Sequence, residues 1–284
     1  MPLVTTRELL DHATRQHTGL PALNVIHLES AGAIAAAAER TGQGVVLQIS
    51  QNCVRYHGTL APIAAAARAI AEQAGAPLSL HLDHAEDVDL VREAIDLGFS
   101  SVMYDGAALP YAQNVATTAQ VVAEANAAGV LVEAELGEIG GKDGAHAPGV
   151  RTDPDQARGF VAQTGVHALA VAVGSSHAMT AKTASLDVEL VAALARAVPV
   201  PLVLHGSSGV PDASIRAAIS AGMRKINVST QLVRAFTGAV RDRLAQDPAL
   251  VDSRKYVAAG REAMAAEAAA VIEVITGGAG ADDR

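Results

Sequence analysis

The sequence predicts an α/β fold, a single (β/α)8 barrel (TIM barrel) with an additional C-terminal helix. Three observations carry this reading. Eight short apolar segments alternate with helical patterns from one end of the chain to the other, the signature of parallel strands joined by helices. No GxGxxG turn follows the first segment, so a dinucleotide-binding sheet is disfavoured. No linker, low-complexity run or charge block splits the 284 residues, so residues 1–284 read as one domain.

The strand segments are, in order, PALNVI (21–26), GVVLQIS (44–50), PLSLHLDH (77–84), SSVMYD (100–105), GVLVEAEL (129–136), HALAVAVG (167–174), PLVLHG (201–206) and RKINVS (224–229). Between them the helices show recognisable ends. In DPDQARGFVAQTG, Asp153 can cap, Pro154 can open the helix and Gly165 can close it. The same grammar recurs in VPDASIRAAISAG. After the eighth segment come TQLVRAFTGAVRDRLAQ and GREAMAAEAAAVIEVI, one helix more than a barrel needs, and a tail GGAGADDR expected to fray.

Composition agrees and excludes several functions. Hydrophobic residues make up 50% of the chain, with no Trp, which suits small branched side chains packed between helices and parallel strands. A net charge of −9 with scattered Lys and Arg argues against a nucleic-acid surface. One cysteine, Cys53, excludes an internal disulfide framework and fits a reducing cytoplasm. The first residues carry acids and lack an apolar h-region, and no stretch approaches the roughly 18 apolar residues of a membrane span. The chain is therefore expected to be cytoplasmic, with no membrane partner.

Catalytic groups of such barrels gather where strands end at the C-terminal face. Asp83 and His84 close the third segment, Asp105 the fourth, Glu133 and Glu135 the fifth, His205 the seventh and Asn227 the eighth, while His177 follows the sixth. In LSLHLDH, alternation sets His81 and Asp83 on one face and Leu80 and Leu82 on the other, so Asp83 should point inward and His84 should turn over the mouth. Three histidines from three strand ends, with a carboxylate nearby, form a sensible zinc set that leaves one position open. His12, His17, His27, His57, His146 and His167 show no such pattern and read mostly as surface or loop residues. HGSSGVPDAS feeds a helix N-terminus after the seventh segment and lies in the order of the chain next to NVST (227–230), a combination that suggests a phosphate site.

These motifs resemble the class II (zinc-dependent) fructose-bisphosphate and tagatose-bisphosphate aldolase family from about Leu9 to the C-terminal helix. They read PALNV, HLDHAED, SSVMYDGA, VEAELGEIGG, VGSSH, PLVLHGSSG and KINVST. The resemblance implies that His84, His177 and His205 bind catalytic zinc, that Glu135 can approach the metal, and that Asp105 lies near an accessory monovalent or second divalent cation. It implies Asp83 as the acid and base at the carbon-four hydroxyl. Asn24, Ser50 and Asn227 would hold the dihydroxyacetone phosphate part, with Gly206, Ser208, Ser229 and Thr230 around its phosphate. The implied reaction is reversible aldol cleavage of a ketose bisphosphate, within carbohydrate metabolism and glycolysis, by a homodimer or homotetramer. Lys182 and Lys225 are the lysines near strand ends, and neither replaces the metal constellation with a Schiff base.

The sequence departs from the family pattern in three places. Ala178, Met179 and Thr180 follow the second histidine where glycine and often a tyrosine are usual, and Asp143 stands in place of a glutamate. Ala258 aligns with an arginine that in many members reaches the distant phosphate across a subunit contact, which makes Arg261 and Arg55 the candidates for that task. Two other readings stay open: an aldolase for a ketose phosphate lacking the second phosphate, and a metal-dependent sugar-phosphate epimerase or isomerase. A catalytically dead relative is a third, which metal content would separate from an enzyme.

Overall fold

The structure is a computed structural model that describes residues 3–136, 151–177 and 179–277. Asp143, His146, Ala178, the end of the VEAELGEIGG motif and the tail 278–284 lie outside the described residues. Eight parallel strands close a barrel in chain order: β1 (Leu20–Asn24), β2 (Val45–Ser50), β3 (Leu78–Ala85), β4 (Ser101–Tyr104), β5 (Leu131–Leu136), β6 (Ala168–Val171), β7 (Leu202–Leu204) and β8 (Met223–Val228). β8 returns to β1 through pairs such as Ala22 with Asn227. Several strands stop one to three residues before the apolar segments do, because those last residues leave the ladder to form the rim.

Helices α1 (Thr6–Gln16), α2 (Leu28–Thr41), α3 (Gln51–His57), α4 (Ala61–Gln73), α5 (Val88–Asp96), α6 (Tyr111–Ala127), α7 (Pro154–Thr164), α8 (Val188–Ala197), α9 (Asp212–Ala221), α10 (Thr230–Gln246) and α11 (Ser253–Thr276) surround the barrel. α7 is capped as its sequence predicts: Asp153 accepts from Asp155 and Gln156, and Gly165 closes the helix in the left-handed region. α11 is the additional C-terminal helix, and it packs on α10 and α2.

Alternation divides the core in two. Leu80, Leu82, Ile226 and Val228 face outward into the main apolar cluster shared with the helices. A smaller cluster joins Leu9, Leu10 and Ala13 of α1 to Leu20, Ala22, Val46, Leu131 and Ala168, so α1 closes the floor of the barrel. Its start is a capping box, with Glu8 N–H donating to Thr5 Oγ1 and Thr5 N–H to the Glu8 carboxylate. From that helix Thr6 reaches inward to Ser79 and Ser101. Above these residues β3, β5 and β8 turn polar side chains inward, His81, Glu133 and Lys225 among them, while Ala170 and Val203 keep the β6 and β7 side apolar.

Candidate active site

Three imidazoles converge at the C-terminal mouth. His84 comes from β3, His177 from the loop after β6, and His205 from the residue after β7. Their ring centroids lie 5.2 Å apart for His84 and His177, 4.6 Å for His84 and His205, and 5.8 Å for His177 and His205. One nitrogen from each ring lies within 4.8 Å of the others, and His84, Asp105 and Glu135 form a second set within the same limit.

Local backbone features produce this convergence. Leu82 pairs with Val102 and Ala85 with Tyr104, so Asp83 and His84 together oppose Met103. This is a β-bulge, which re-aims side chains. His84 adopts φ 50°, a conformation that costs a non-glycine residue about 1 kcal/mol or more. His84 therefore lies inside β3 at a bulge, one residue before the strand ends at Ala85. Across the mouth, Gly206 has φ 66°, and a Cβ there would sit 2.5 Å from the carbonyl carbon of Ser176. Glycine lets the end of β7 meet the loop after β6, which brings His205 beside His177.

Asp83 points into the barrel, as alternation predicts, and is 3% exposed. Asn24 Nδ2 and Asn227 Nδ2 approach its two oxygens at 3.5 and 3.4 Å, and Gln48 holds Asn24 at 2.6 Å. Burial raises the Asp83 pKa, but the positive charges of His84, His205 and Lys225 outweigh it and hold the carboxyl below its usual range. Asp83 is thus ionised at neutral pH.

Below the mouth lies a layer whose roles the sequence left unassigned. Glu133 accepts from His205 Nε2 at 2.9 Å and from Lys225 Nζ at 2.9 Å, and Lys225 also donates to Asn227 Oδ1 at 2.8 Å. On the other side of the His205 ring, Nδ1 lies 3.1 Å from Glu135. Burial lowers the His205 pKa, but hydrogen bonds to the two glutamates outweigh this and push it up to about 9. The pocket therefore favours positive charge at this point. The legible signal was spacing: Glu133 and Lys225 each stand two residues before an inward site residue, Glu135 and Asn227.

The loops after β7 and β8 lie side by side. Residues Ser207–Gly209 form a 3-10 turn, Ser207 Oγ donates to Asn227 O, and Gln231 N–H at the start of α10 donates to Ser208 Oγ at 3.2 Å. Ser208, Ser229 and Thr230 therefore gather at the N-terminus of α10, whose first N–H groups suit an anion, while Gly206 caps the 3-10 turn beside Ser176. In the loop after His177, a Cβ on Gly209 would lie 2.4 Å from Met179 Cβ, and Ala184 N–H donates to Gly209 O at 2.9 Å. Met179 thus packs directly on the turn that holds Ser208. Lys182 pairs with Asp212, so its ammonium is engaged at the start of α9.

Ser50 lies at the rim, where it caps α3 through Cys53 N–H at 3.2 Å. Arg55 follows on α3, exposed and 3.4 Å from Glu86. Arg261 is exposed on α11 beside Glu262, which lies 3.6 Å from Arg40 in the last turn of α2. Gly260, the residue before Arg261, packs against Phe236 of α10, which stacks on His27 at the start of α2. Several remaining histidines serve the backbone: His17 and His27 cap helices, His57 Nε2 lies 2.6 Å from Ile26 O, and His167 accepts from Val132 N–H. Among the described residues no helix is long and apolar enough to cross a membrane.

Comparison with known proteins agrees with this geometry. The profile of the family described as fructose-bisphosphate aldolase class-II matches residues 4–280. A fructose-bisphosphate aldolase of Geobacillus stearothermophilus is 39% identical over 270 residues, 94% of each chain. A probable fructose-bisphosphate aldolase of Bacillus subtilis is 39% identical over 268 residues, 93% of this chain and 94% of the relative. Among solved structures, the YdjI aldolase of Escherichia coli K12 superposes with a TM-score of 0.83 at 31% identity, covering 96% of this chain and 97% of the other. A match that runs from the floor helix to the end of α11 covers every strand end that supplies the mouth, and on that ground the chain belongs to the class II fructose-bisphosphate aldolase family and is a lyase.

Proposed function

We propose that the chain is a zinc-dependent aldolase that cleaves a ketose bisphosphate, fructose or tagatose 1,6-bisphosphate, to dihydroxyacetone phosphate and glyceraldehyde 3-phosphate, and catalyses the reverse. The observation that carries this is the meeting of His84, His177 and His205 at one point, with the Asp83 carboxylate 4.0 Å from His84 Nε2. Neutral imidazoles with neighbouring carboxylates match the donors of catalytic zinc, and the raised His205 pKa supports a pocket suited to a cation.

His84, His177 and His205 would hold the ion, with Glu135 an exchangeable neighbour and Asp105 close to an accessory cation. Bound zinc supplies a Lewis acid for the ketone and for the charge left when the carbon–carbon bond breaks. Asp83, already ionised, takes the carbon-four hydroxyl proton in cleavage and returns it in condensation. Asn24, Ser50 and Asn227 hold the triose part, and Gly206, Ser208, Ser229 and Thr230 receive its phosphate. We expect a cytoplasmic homodimer or homotetramer. A second reading, a ketose with a single phosphate, is favoured by Ala258 and by the pairing of Arg55 with Glu86.

The test is metal removal with both bisphosphates as substrates. Chelation should abolish triose phosphate release, zinc or cobalt should restore it, and borohydride with substrate should trap no lysine. Full activity in protein shown by elemental analysis to lack metal, or covalent trapping, overturns the reading.

A further inference from the structure

We infer that Glu133 and Lys225 are a positioning pair: beneath the mouth they set the orientation and tautomer of His205 and, through Asn227, the hydrogen bonding of Asp83. The inference rests on the proposed zinc site.

Both residues project inward and are sealed from solvent, at 0% and 1% exposure. Neither can touch a substrate. Glu133 divides its oxygens, one facing His205 Nε2 at 2.9 Å and the other facing Lys225 Nζ at 2.9 Å. With an ammonium beside it the carboxylate is ionised and can only accept. Each ring nitrogen faces a carboxylate, Nε2 toward Glu133 and Nδ1 toward Glu135 at the mouth; when a metal takes the place of the Nδ1 proton, the proton that Glu133 holds is the one on Nε2. The other arm starts at the same ammonium. Lys225 Nζ donates to Asn227 Oδ1 at 2.8 Å, which fixes the Asn227 amide with its NH2 toward Asp83, 3.4 Å away. One buried charge thus orients a metal-facing ring and the partner of the base.

Stability alone does not explain such a pair, since well-packed apolar residues often replace buried ion pairs without loss. Partners of this kind orient metal ligands, and removing them typically weakens metal binding by about 10–100-fold.

The experiment compares wild type, Glu133→Gln, Lys225→Met and the double variant, each checked for folding by circular dichroism. Zinc affinity is read by chelator competition, and the ligand field by visible absorption of the cobalt form. We expect Glu133→Gln to weaken zinc by about 10–100-fold and to change the cobalt spectrum, because its amide NH2 would face Nε2. The double variant should lose no more than the worse single variant, since the two residues act as a unit. If Glu133→Gln does not fold, the double variant, which buries no unpaired charge, supplies the same readings. A folded variant, single or double, with zinc affinity within twofold of wild type and an unaltered cobalt spectrum overturns the positioning role. Wild type that binds no zinc, or whose affinity survives His205→Ala, overturns the zinc site itself, a result recognisable without either variant.

Discussion

Asp105 Oδ2 lies 2.8 Å from His84 Nδ1, across the gap between the ends of β4 and β3. The carboxylate accepts the Nδ1 proton and so turns Nε2, 4.0 Å from Asp83, toward the mouth. Asp105→Ala should weaken zinc retention by about tenfold or more, with Asp105→Asn milder because its amide oxygen can still accept. Chelator competition measures both. Equal zinc affinity in wild type and Asp105→Ala would show that His84 needs no such partner.

Asp83→Ala should keep both fold and zinc yet lose cleavage by about a hundredfold or more, the scale of a deleted general base. The contrast is with His84→Ala, one residue away, which should lose the metal as well. Elemental analysis alongside steady-state rates separates the two. Cleavage by Asp83→Ala at the wild-type rate would remove it from the mechanism.

The pH dependence of stability follows from the groups under the mouth. Burial disfavours a charged His205, but its hydrogen bonds to Glu133 and Glu135 push the pKa up to about 9, above the unfolded value of about 6.5. That contribution is complete below about pH 6.5 and fades as pH rises through about 9. Glu133 has the opposite sign: burial raises its pKa, but the Lys225 ammonium, the hydrogen bond from His205 and the charges of His81 and His205 together outweigh this, and the net value is lowered. Its contribution is present above about pH 4.3 and is lost as pH falls through the lower folded value. With chelator present, the thermal midpoint should decline on the alkaline side between about pH 6.5 and 9, and His205→Asn should flatten that limb. Saturating zinc should flatten it too, because metal and proton compete for the ring. An alkaline limb unchanged in His205→Asn would assign the loss to another group.

Strand alternation made much of this site legible. The pattern HLDH turned Asp83 inward because side chains on a strand alternate strictly, and the strand order brought His84, His177 and His205 to one rim. The bulge that lifts His84 was not legible, since it depends on how β3 registers against β4 rather than on either segment alone. Glu133 and Lys225 were hidden for a similar reason: they are 92 residues apart, and only barrel closure makes two isolated charges a pair. The helix α1 was not read from the sequence, and nothing local said that an apolar face at the N-terminus would close the floor.

The far phosphate is where sequence and geometry point to different residues. Ala258 cannot bind it, and the two arginines offered in its place stand differently. Arg55 is at the rim on α3, five residues beyond Ser50, but its guanidinium is shared between Glu86 and Asn52. Because that pair is exposed, a phosphate could displace Glu86 at little cost, as such surface pairs are worth about 1 kcal/mol or less. Arg261 stands exposed on α11, beside the Glu262 and Arg40 pair. Arg55→Ala should therefore raise KM for the bisphosphate and leave a singly phosphorylated ketose nearly untouched, since the lost contact is absent from the smaller substrate. Arg261→Ala should do the same only in an assembly that places α11 against a partner's rim, which sizing by light scattering would reveal alongside the kinetics. If both variants treat the two substrates as wild type does, the far phosphate contributes nothing to recognition, and the single-phosphate ketose becomes the substrate to pursue.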